Sequence, residues 1–264
     1  MPPFYGRDLN TRISMSATKS FFLKIASFLA VMLAWEYAGR TGVSAALPSF
    51  TETMYAMFQL AMDGSLGTAF AKTLYPLSIG LLISIFIGVS LGMAMGLNAS
   101  AEWLFSPIFI VAQAAPLAAL IPILTFAYGI GITAKIFTVC IMAMPVIVLN
   151  TLGAVRNTPV SLVEMARSFQ GTRMQVVTKV ILPSASPLIF VGLRLGCASG
   201  FIGIILAELL ITPTGIGDII SYSQSVAEYD KMYAAIFAVI VSSVLFIELL
   251  EKTEQVMFKP EKRN

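Results

Sequence analysis

Polar positions in this chain do not alternate with apolar ones. They cluster, and the stretches between the clusters are long blocks of apolar residues. Crossing a bilayer core as a helix takes roughly 20 such residues. Six blocks qualify: Phe21 to Ala38, Leu74 to Leu97, Leu104 to Tyr128, Ala134 to Leu152, Pro187 to Ile211, and Met232 to Leu250. The pattern predicts an all-α, polytopic membrane protein with six transmembrane helices. Lys24 and Glu36 sit near the two ends of the first block, where long side chains reach the interface, so neither forbids a crossing. A cleaved signal peptide is the competing reading of that block. The long chain before it and the lack of a small-residue cleavage site after it favour an uncleaved helix.

Small residues recur at every fourth position inside two of the blocks. The second has Gly80, Ser84, Gly88, Gly92 and Gly96, and the fifth has Gly192, Gly196 and Gly200. Such stripes let helix backbones approach closely where lipid supplies no hydrophobic drive for association, and packing within one chain is preferred over a subunit interface. Prolines punctuate the third block at Pro107, Pro116 and Pro122, and the fourth at Pro145. Each removes a backbone hydrogen bond, so the third crossing is expected to be kinked or broken, with its freed carbonyls covered by protein or an aqueous cavity.

Composition agrees with the pattern. Hydrophobic residues make up 57% of the chain and charged residues 12%, about half the charged fraction of an ordinary soluble domain. Histidine is absent, and the two cysteines, Cys140 and Cys197, lie in apolar blocks. Metal sites, disulfides and histidine relays therefore lack raw material, and no metal, cofactor or nucleic-acid partner is expected for this chain.

Charge placement says more than the net charge of +3. Arg7, Arg12 and Lys19 precede the first block; Arg156, Arg167, Arg173 and Lys179 follow the fourth; Lys252, Lys259, Lys262 and Arg263 follow the sixth. With six crossings all three groups share one side, against Arg40, Lys72, Lys135 and Lys231 on the other. The positive-inside rule then puts both termini in the cytoplasm. The organisation that follows is a cytoplasmic tail over 1–20, a membrane domain over 21–250 with a cytoplasmic hairpin at 158–183, and a cytoplasmic tail over 251–264.

That hairpin interrupts the oily pattern with charge. At the centre of a span, each of Arg167, Arg173 and Lys179 would cost roughly 3 kcal/mol, so the segment stays outside the membrane. Ser161 with Glu164, and Thr172 with Gln175, match capping boxes. With Gly171 before the second cap and Pro183 as a terminator, the segment reads as helix, glycine turn, helix. Leu162, Met165 and Phe169 share one face of the first helix; Met174, Val177 and Ile181 share one face of the second. These faces must meet lipid headgroups, the chain's own loops or a partner, and amphipathicity alone does not choose among them.

The stretch "EMARSFQGTRMQVVTKVILP", Glu164 to Pro183, resembles the EAA loop of the permeases of binding-protein-dependent ABC importers. Glu164, Ala166, Ile181, Leu182 and Pro183 match that pattern at the expected spacing. Met165 replaces its first alanine, and Gln170 stands at its usual glycine with Gly171 one residue later, which raises the question of a shifted turn. "QAAPLAALIPILTFAYGIG" (Gln113 to Gly131) and "AELLITPTGIGDIISYSQ" (Ala207 to Gln224) are similar to segments of the taurine, alkanesulfonate and nitrate uptake permeases of that family. The resemblance runs from about Leu74 onwards.

It implies a MetI-like, type I importer permease fold, working as a homodimer in the inner (plasma) membrane. Each copy would be bound to a cytoplasmic ATPase that carries ATP and Mg, and a soluble binding protein would deliver solute from outside. It further implies an ATPase-coupling role for Glu164, Met165, Ala166, Arg167, Phe169, Gln170, Gly171, Arg173 and Pro183. The solute suggested is a small anion such as a sulfonate, taurine or nitrate, although related permeases carry bicarbonate or vitamin precursors.

The chain has no GxxxxGK[ST] phosphate loop, so any ATP would be hydrolysed by another polypeptide. "GIGD" at Gly215 to Asp218 is too short for a dinucleotide fingerprint and reads as a turn. Candidate pathway residues are Gln113, between the prolines of the third block, Ser199, on the glycine face of the fifth, and Glu208. Polar groups at depth face a cavity or a helix partner. Glu208 either orders the following "TPTGIGD" turn or touches solute. Arg194 is read as a snorkelling anchor rather than an anion site. An ion-coupled secondary carrier is the rival function, supported by the broken third block and Glu208. A membrane enzyme lacks any cluster of ligands or nucleophiles.

Overall fold

The computed structural model describes residues 17–116, 119–211 and 213–257, and among them there is no β-strand. Four helices are long and apolar enough to cross a membrane: Ser65–Leu97, Ile132–Arg156, the continuous helical stretch Arg173–Leu210, and Tyr229–Glu254. In chain order the elements are α1 (Ala17–Arg40), α2 (Phe50–Met62), α3 (Ser65–Leu97), α4 (Ala99–Ala114), α5 (Ile121–Tyr128) and α6 (Ile132–Arg156). They continue as α7 (Val160–Ser168), α8 (Arg173–Val176), α9 (Leu182–Leu210), α10 (Ile216–Ser225) and α11 (Tyr229–Met257), with a π-helical turn, Val177–Ile181, joining α8 to α9.

The centre of the fold is α6, packed between α3 and α9. Both glycine stripes point at it. A Cβ on Gly80, Gly88, Gly92 or Gly96 of α3 would run into Val139, Ile147, Thr151 or Val155 of α6, each one helical turn or two further along. From the other side Gly192 and Gly196 of α9 meet Asn150 and Ile147. The stripes serve packing within the chain, closing a three-helix core of Leu77, Leu81, Val139, Ala143, Ile147, Cys197, Phe201 and Ile204. Ser84 is fully buried and donates its hydroxyl to the Gly80 carbonyl at 2.7 Å, which satisfies it without a neighbour. Both cysteines are buried in this packing.

Prolines set the break in the third apolar block. Ala115 is extended, as the residue before a proline is driven to be, so α4 stops there; Pro122 then opens α5 at its first turn, where its missing N–H costs nothing. The block is thus two helices in place of one. Two helices were not foreseen from periodicity. One is α2, started by a full capping box between Ser49 and Glu52; the other is α10, which begins within "GIGD". The polar end of α1 is tied down by Trp35, whose indole N–H donates to the Pro48 carbonyl at 3.1 Å while its ring packs on Phe50 and Tyr233.

Candidate functional site: a protruding hairpin and a buried ion pair

The hairpin α7–turn–α8 stands at the end of the bundle where α3 and α11 finish and α9 begins. Of three details expected from sequence, the structure alters two and keeps one. First, α7 starts at Val160 with Pro159 at its N-cap and no side-chain cap, so the Ser161–Glu164 capping box does not form. Proline here presets φ for the helix start, which leaves Ser161 already inside the first turn. Second, the Thr172–Gln175 capping box does form: the Thr172 N–H donates to Gln175 Oε1 at 2.8 Å and the Gln175 N–H to Thr172 Oγ1 at 3.4 Å. Third, Pro183 does not end the second helix, which runs on into α9. The π-helical turn just before it hands the Leu182 N–H to the Val177 carbonyl, five residues back. Widening the turn in this way draws the upstream carbonyls away from the proline ring that would otherwise clash with one of them.

The turn itself keeps its register. Gln170, at φ 55°, is the left-handed residue, and Gly171 is not. The Gln170 N–H donates to the Arg167 carbonyl at 2.8 Å and the Gly171 N–H to the Ala166 carbonyl at 3.0 Å, which together make a Schellman C-cap with glutamine at the position glycine normally takes. Gly171 is needed for a different reason: a Cβ there would lie 2.8 Å from the Ala166 carbonyl oxygen.

Around this turn the side chains point away from the bundle. Phe169 is 81% exposed, Met174 71% and Met165 51%, with Leu162 beside them. On the second helix Val176 is the buried residue, while Met174, on the face it shares with the half-buried Val177 and Ile181, projects outward. Glu164 is exposed on the same hairpin, and Ala166 lies half-buried at its base.

At the opposite end of the bundle four elements meet at one carboxylate. Glu208, near the end of α9, is closed off from solvent, as is Lys135 on α6, and Lys135 Nζ donates to Glu208 Oε1 at 2.9 Å. The same ammonium donates to the Thr214 carbonyl at 3.1 Å and to Thr214 Oγ1 at 2.8 Å. Thr73 of α3 places its hydroxyl 2.9 Å from both Glu208 oxygens and accepts the Ile216 N–H at 3.0 Å, while the Gly217 N–H donates to Glu208 Oε2 at 3.0 Å. Gly215 has a positive φ of 87°, and a Cβ there would collide with Glu208 Oε1; one on Gly217 would meet the Glu208 Cβ. "GIGD" is therefore the turn that wraps a buried carboxylate. The geometry fits the reading of Glu208 as the residue that orders the turn: among the described residues Lys135, Thr73 and the Gly217 amide hold its carboxylate.

Lys135 and Thr73 were missed from sequence. By sequence Lys135 reads only as a loop charge on the outer side. The signal available was a lone lysine within an apolar block and a lone glutamate within another, since isolated charges at depth pair with one another. The pathway candidates do not join this cluster. Gln113 is exposed near the end of α4, just before the break, with no side-chain hydrogen bond among the described residues; Ser199 is half-buried on α9 and donates to the Leu195 carbonyl at 3.1 Å. Arg194 forms an ion pair with Glu251 of α11 at 3.3 Å. Among the described residues no group of three histidine, cysteine, aspartate or glutamate side chains could hold a metal ion.

The described residues form a bundle of membrane-capable helices with an exposed apolar hairpin at one end, and comparison with known proteins gives the class. Residues 84–251 match the family of binding-protein-dependent transport system inner membrane components, and the chain belongs to it. It is a multi-pass permease subunit of an ABC importer, with the ATPase in a separate chain. It is 28% identical to a Bacillus subtilis permease named for aliphatic sulfonates transport, over 84% of this chain and 83% of that one. It is 29% identical to the taurine transport system permease of Escherichia coli, over 71% of this chain and 68% of that one. It is 30% identical to the bicarbonate transport system permease of Synechococcus elongatus, over 87% and 88%. Among solved structures, an inward-facing methionine ABC transporter chain shares the fold with a TM-score of 0.56 at 23% identity, over 77% of this chain and 96% of that one.

Proposed function

We propose that the hairpin 158–183 is the docking element for a cytoplasmic ATPase, and that this chain forms one half of a homodimeric permease. The observation that carries the reading is the knob of Leu162, Met165, Phe169 and Met174, apolar, exposed and braced by a Schellman turn at the end of a membrane helix. An exposed aromatic and methionine cluster on a rigid turn is the composition of an interface anchor. Glu164, Ala166, Arg167, Gln170, Gly171, Arg173 and Pro183 complete the element, as ligands or as the backbone that holds its shape. ATP and Mg belong to the partner.

In this reading both termini and the hairpin face the cytoplasm, α1 and the broken α4–α5 pair bring the crossings to six, and the Lys135–Glu208 cluster lies at the outer end. ATP binding in the partner draws the two hairpins together and reorients a path along the dimer axis, with Gln113 and Ser199 at its wall; release of products reverses the motion. The solute is a small anion such as a sulfonate, taurine or nitrate, received from an extracytoplasmic binding protein. Support comes from the relatives named for sulfonates, taurine and bicarbonate. The test is to express the chain with its candidate ATPase and carry Glu164→Lys through the same preparation. The variant should insert into the membrane but lose complex formation and uptake; normal uptake would remove the coupling role.

A further inference from the structure

The hairpin has a second surface. At 100° per residue, Val163 sits about a third of a turn and Arg167 nearly half a turn around α7 from the face formed by Leu162, Met165 and Phe169. They line a half-open cavity of about 490 Å3 between the hairpin and the end of α3, whose apolar wall includes Leu97, Val176 and Ile181 and whose charge comes from Arg167 and Arg173. Among the described residues neither guanidinium forms an ion pair or a hydrogen bond with the chain.

Two cations without a counter-charge, set against an apolar wall, make a recess that favours an anion. The planar fork of arginine matches phosphate oxygens two at a time. The recess also lies at the end of Ser65–Leu97, a helix long and apolar enough to cross a membrane, and the end of a crossing helix is where headgroups come within reach. A free oxyanion would satisfy the arginines and leave the apolar wall uncovered. A phospholipid covers both.

We propose that this recess binds a phosphoryl group, supplied by the headgroup of an anionic phospholipid, with Arg167 and Arg173 as its ligands and Leu97, Val163, Val176 and Ile181 against the glycerol and first acyl carbons. Bound there, the lipid ties the hairpin to the end of α3 and sets its angle to the bundle. It does so from the side of α7 away from the projecting knob, and because Arg167 and Arg173 also belong to the docking element, lipid and ATPase binding are measured apart through Phe169.

The test uses the purified full chain in a neutral detergent, titrated separately with short-chain phosphatidylglycerol, with short-chain phosphatidylcholine, whose own choline neutralises its phosphate, and with inorganic phosphate. Retained lipid is counted by native mass spectrometry and melting temperature is followed in parallel. Phosphatidylglycerol should be retained and raise the melting temperature, with phosphatidylcholine far weaker. Joint Arg167→Gln and Arg173→Gln replacement should weaken it at least about tenfold, the loss expected for two charge-assisted contacts. Joint replacement by lysine should recover part of that affinity, and Lys179→Gln, on the same hairpin but outside the recess, should leave it unchanged. Equal retention of the two lipids, or equal binding by wild type and the glutamine variant, overturns the site. Full stabilisation by inorganic phosphate alone overturns the lipid and assigns the recess to a soluble oxyanion. A Phe169→Ala chain that loses the ATPase yet keeps the lipid separates this inference from the docking reading.

Discussion

Lys135 and Glu208, 73 positions apart in sequence, form an ion pair of 2.9 Å with 2% and 0% of their side-chain surfaces exposed. Through Thr73, Thr214, Ile216 and Gly217 the pair joins α3, α6, α9 and the turn into α10 at a single point. Burying both charges is costly, and the cost is tolerable only because the surrounding hydroxyls, carbonyl and amides satisfy their remaining capacity.

Removing one member should therefore hurt more than removing both. Lys135→Met or Glu208→Leu alone is expected to destabilise the chain by about 3–5 kcal/mol, because each leaves an uncompensated buried charge. The two together should recover a large part of that loss. Thermal unfolding of the four chains in one detergent gives the cycle, and additive losses would show that the two groups act independently.

Helix spacing gives a second expectation. At Gly92 a methyl group would lie 2.6 Å from Thr151 Cβ and 2.7 Å from the Val148 carbonyl oxygen, so Gly92→Ala must push α3 off α6, at about 1–3 kcal/mol. Gly153, on α6, has nothing within 4 Å of its would-be Cβ. Gly153→Ala should be neutral or stabilising by up to about 1 kcal/mol, the helix-propensity gain. Equal melting temperatures for the two variants would contradict the packing described.

The turn of the hairpin offers a gain. Gln170 holds a left-handed conformation that costs a side chain about 1 kcal/mol and glycine almost nothing. Gln170→Gly should slow hydrogen exchange at the Gln170 and Gly171 amides by about fivefold, the equivalent of that energy. Gly171→Ala, facing the Ala166 carbonyl, should speed it. The opposite order would mean that the turn sits one residue later.

Much of this was legible from sequence because membrane helices announce themselves by length and by small-residue spacing. The glycines at 80, 88, 92 and 96 gave the α3 face before any contact was known. The hairpin was legible for a different reason: charges at 164, 167, 173 and 179 cannot sit in lipid. What escaped were features set by tertiary context. Pro183 reads as a stop, yet a π-helical turn absorbs it; Ser161 reads as a cap, yet Pro159 starts the helix first. Lys135 and Glu208 each look like a stray charge until the fold puts them in contact.

The exposed knob yields a prediction about affinity rather than stability. Phe169 makes few contacts within the chain, so Phe169→Ala should leave the melting temperature nearly unchanged. As an interface anchor its loss should weaken ATPase binding by about thirtyfold, the scale of a hot-spot residue. Surface-plasmon or ultracentrifuge measurement of the complex reads the difference.

The reading as a whole is tested most directly by placing one thiol at the tip of the hairpin. Cys140 and Cys197 are buried, so Phe169→Cys supplies a single accessible reporter. In sealed cells the account predicts no reaction with a membrane-impermeant thiol reagent from outside, and a crosslink to an ATP-binding subunit from within. Labelling from the outside, with no such crosslink, would contradict it.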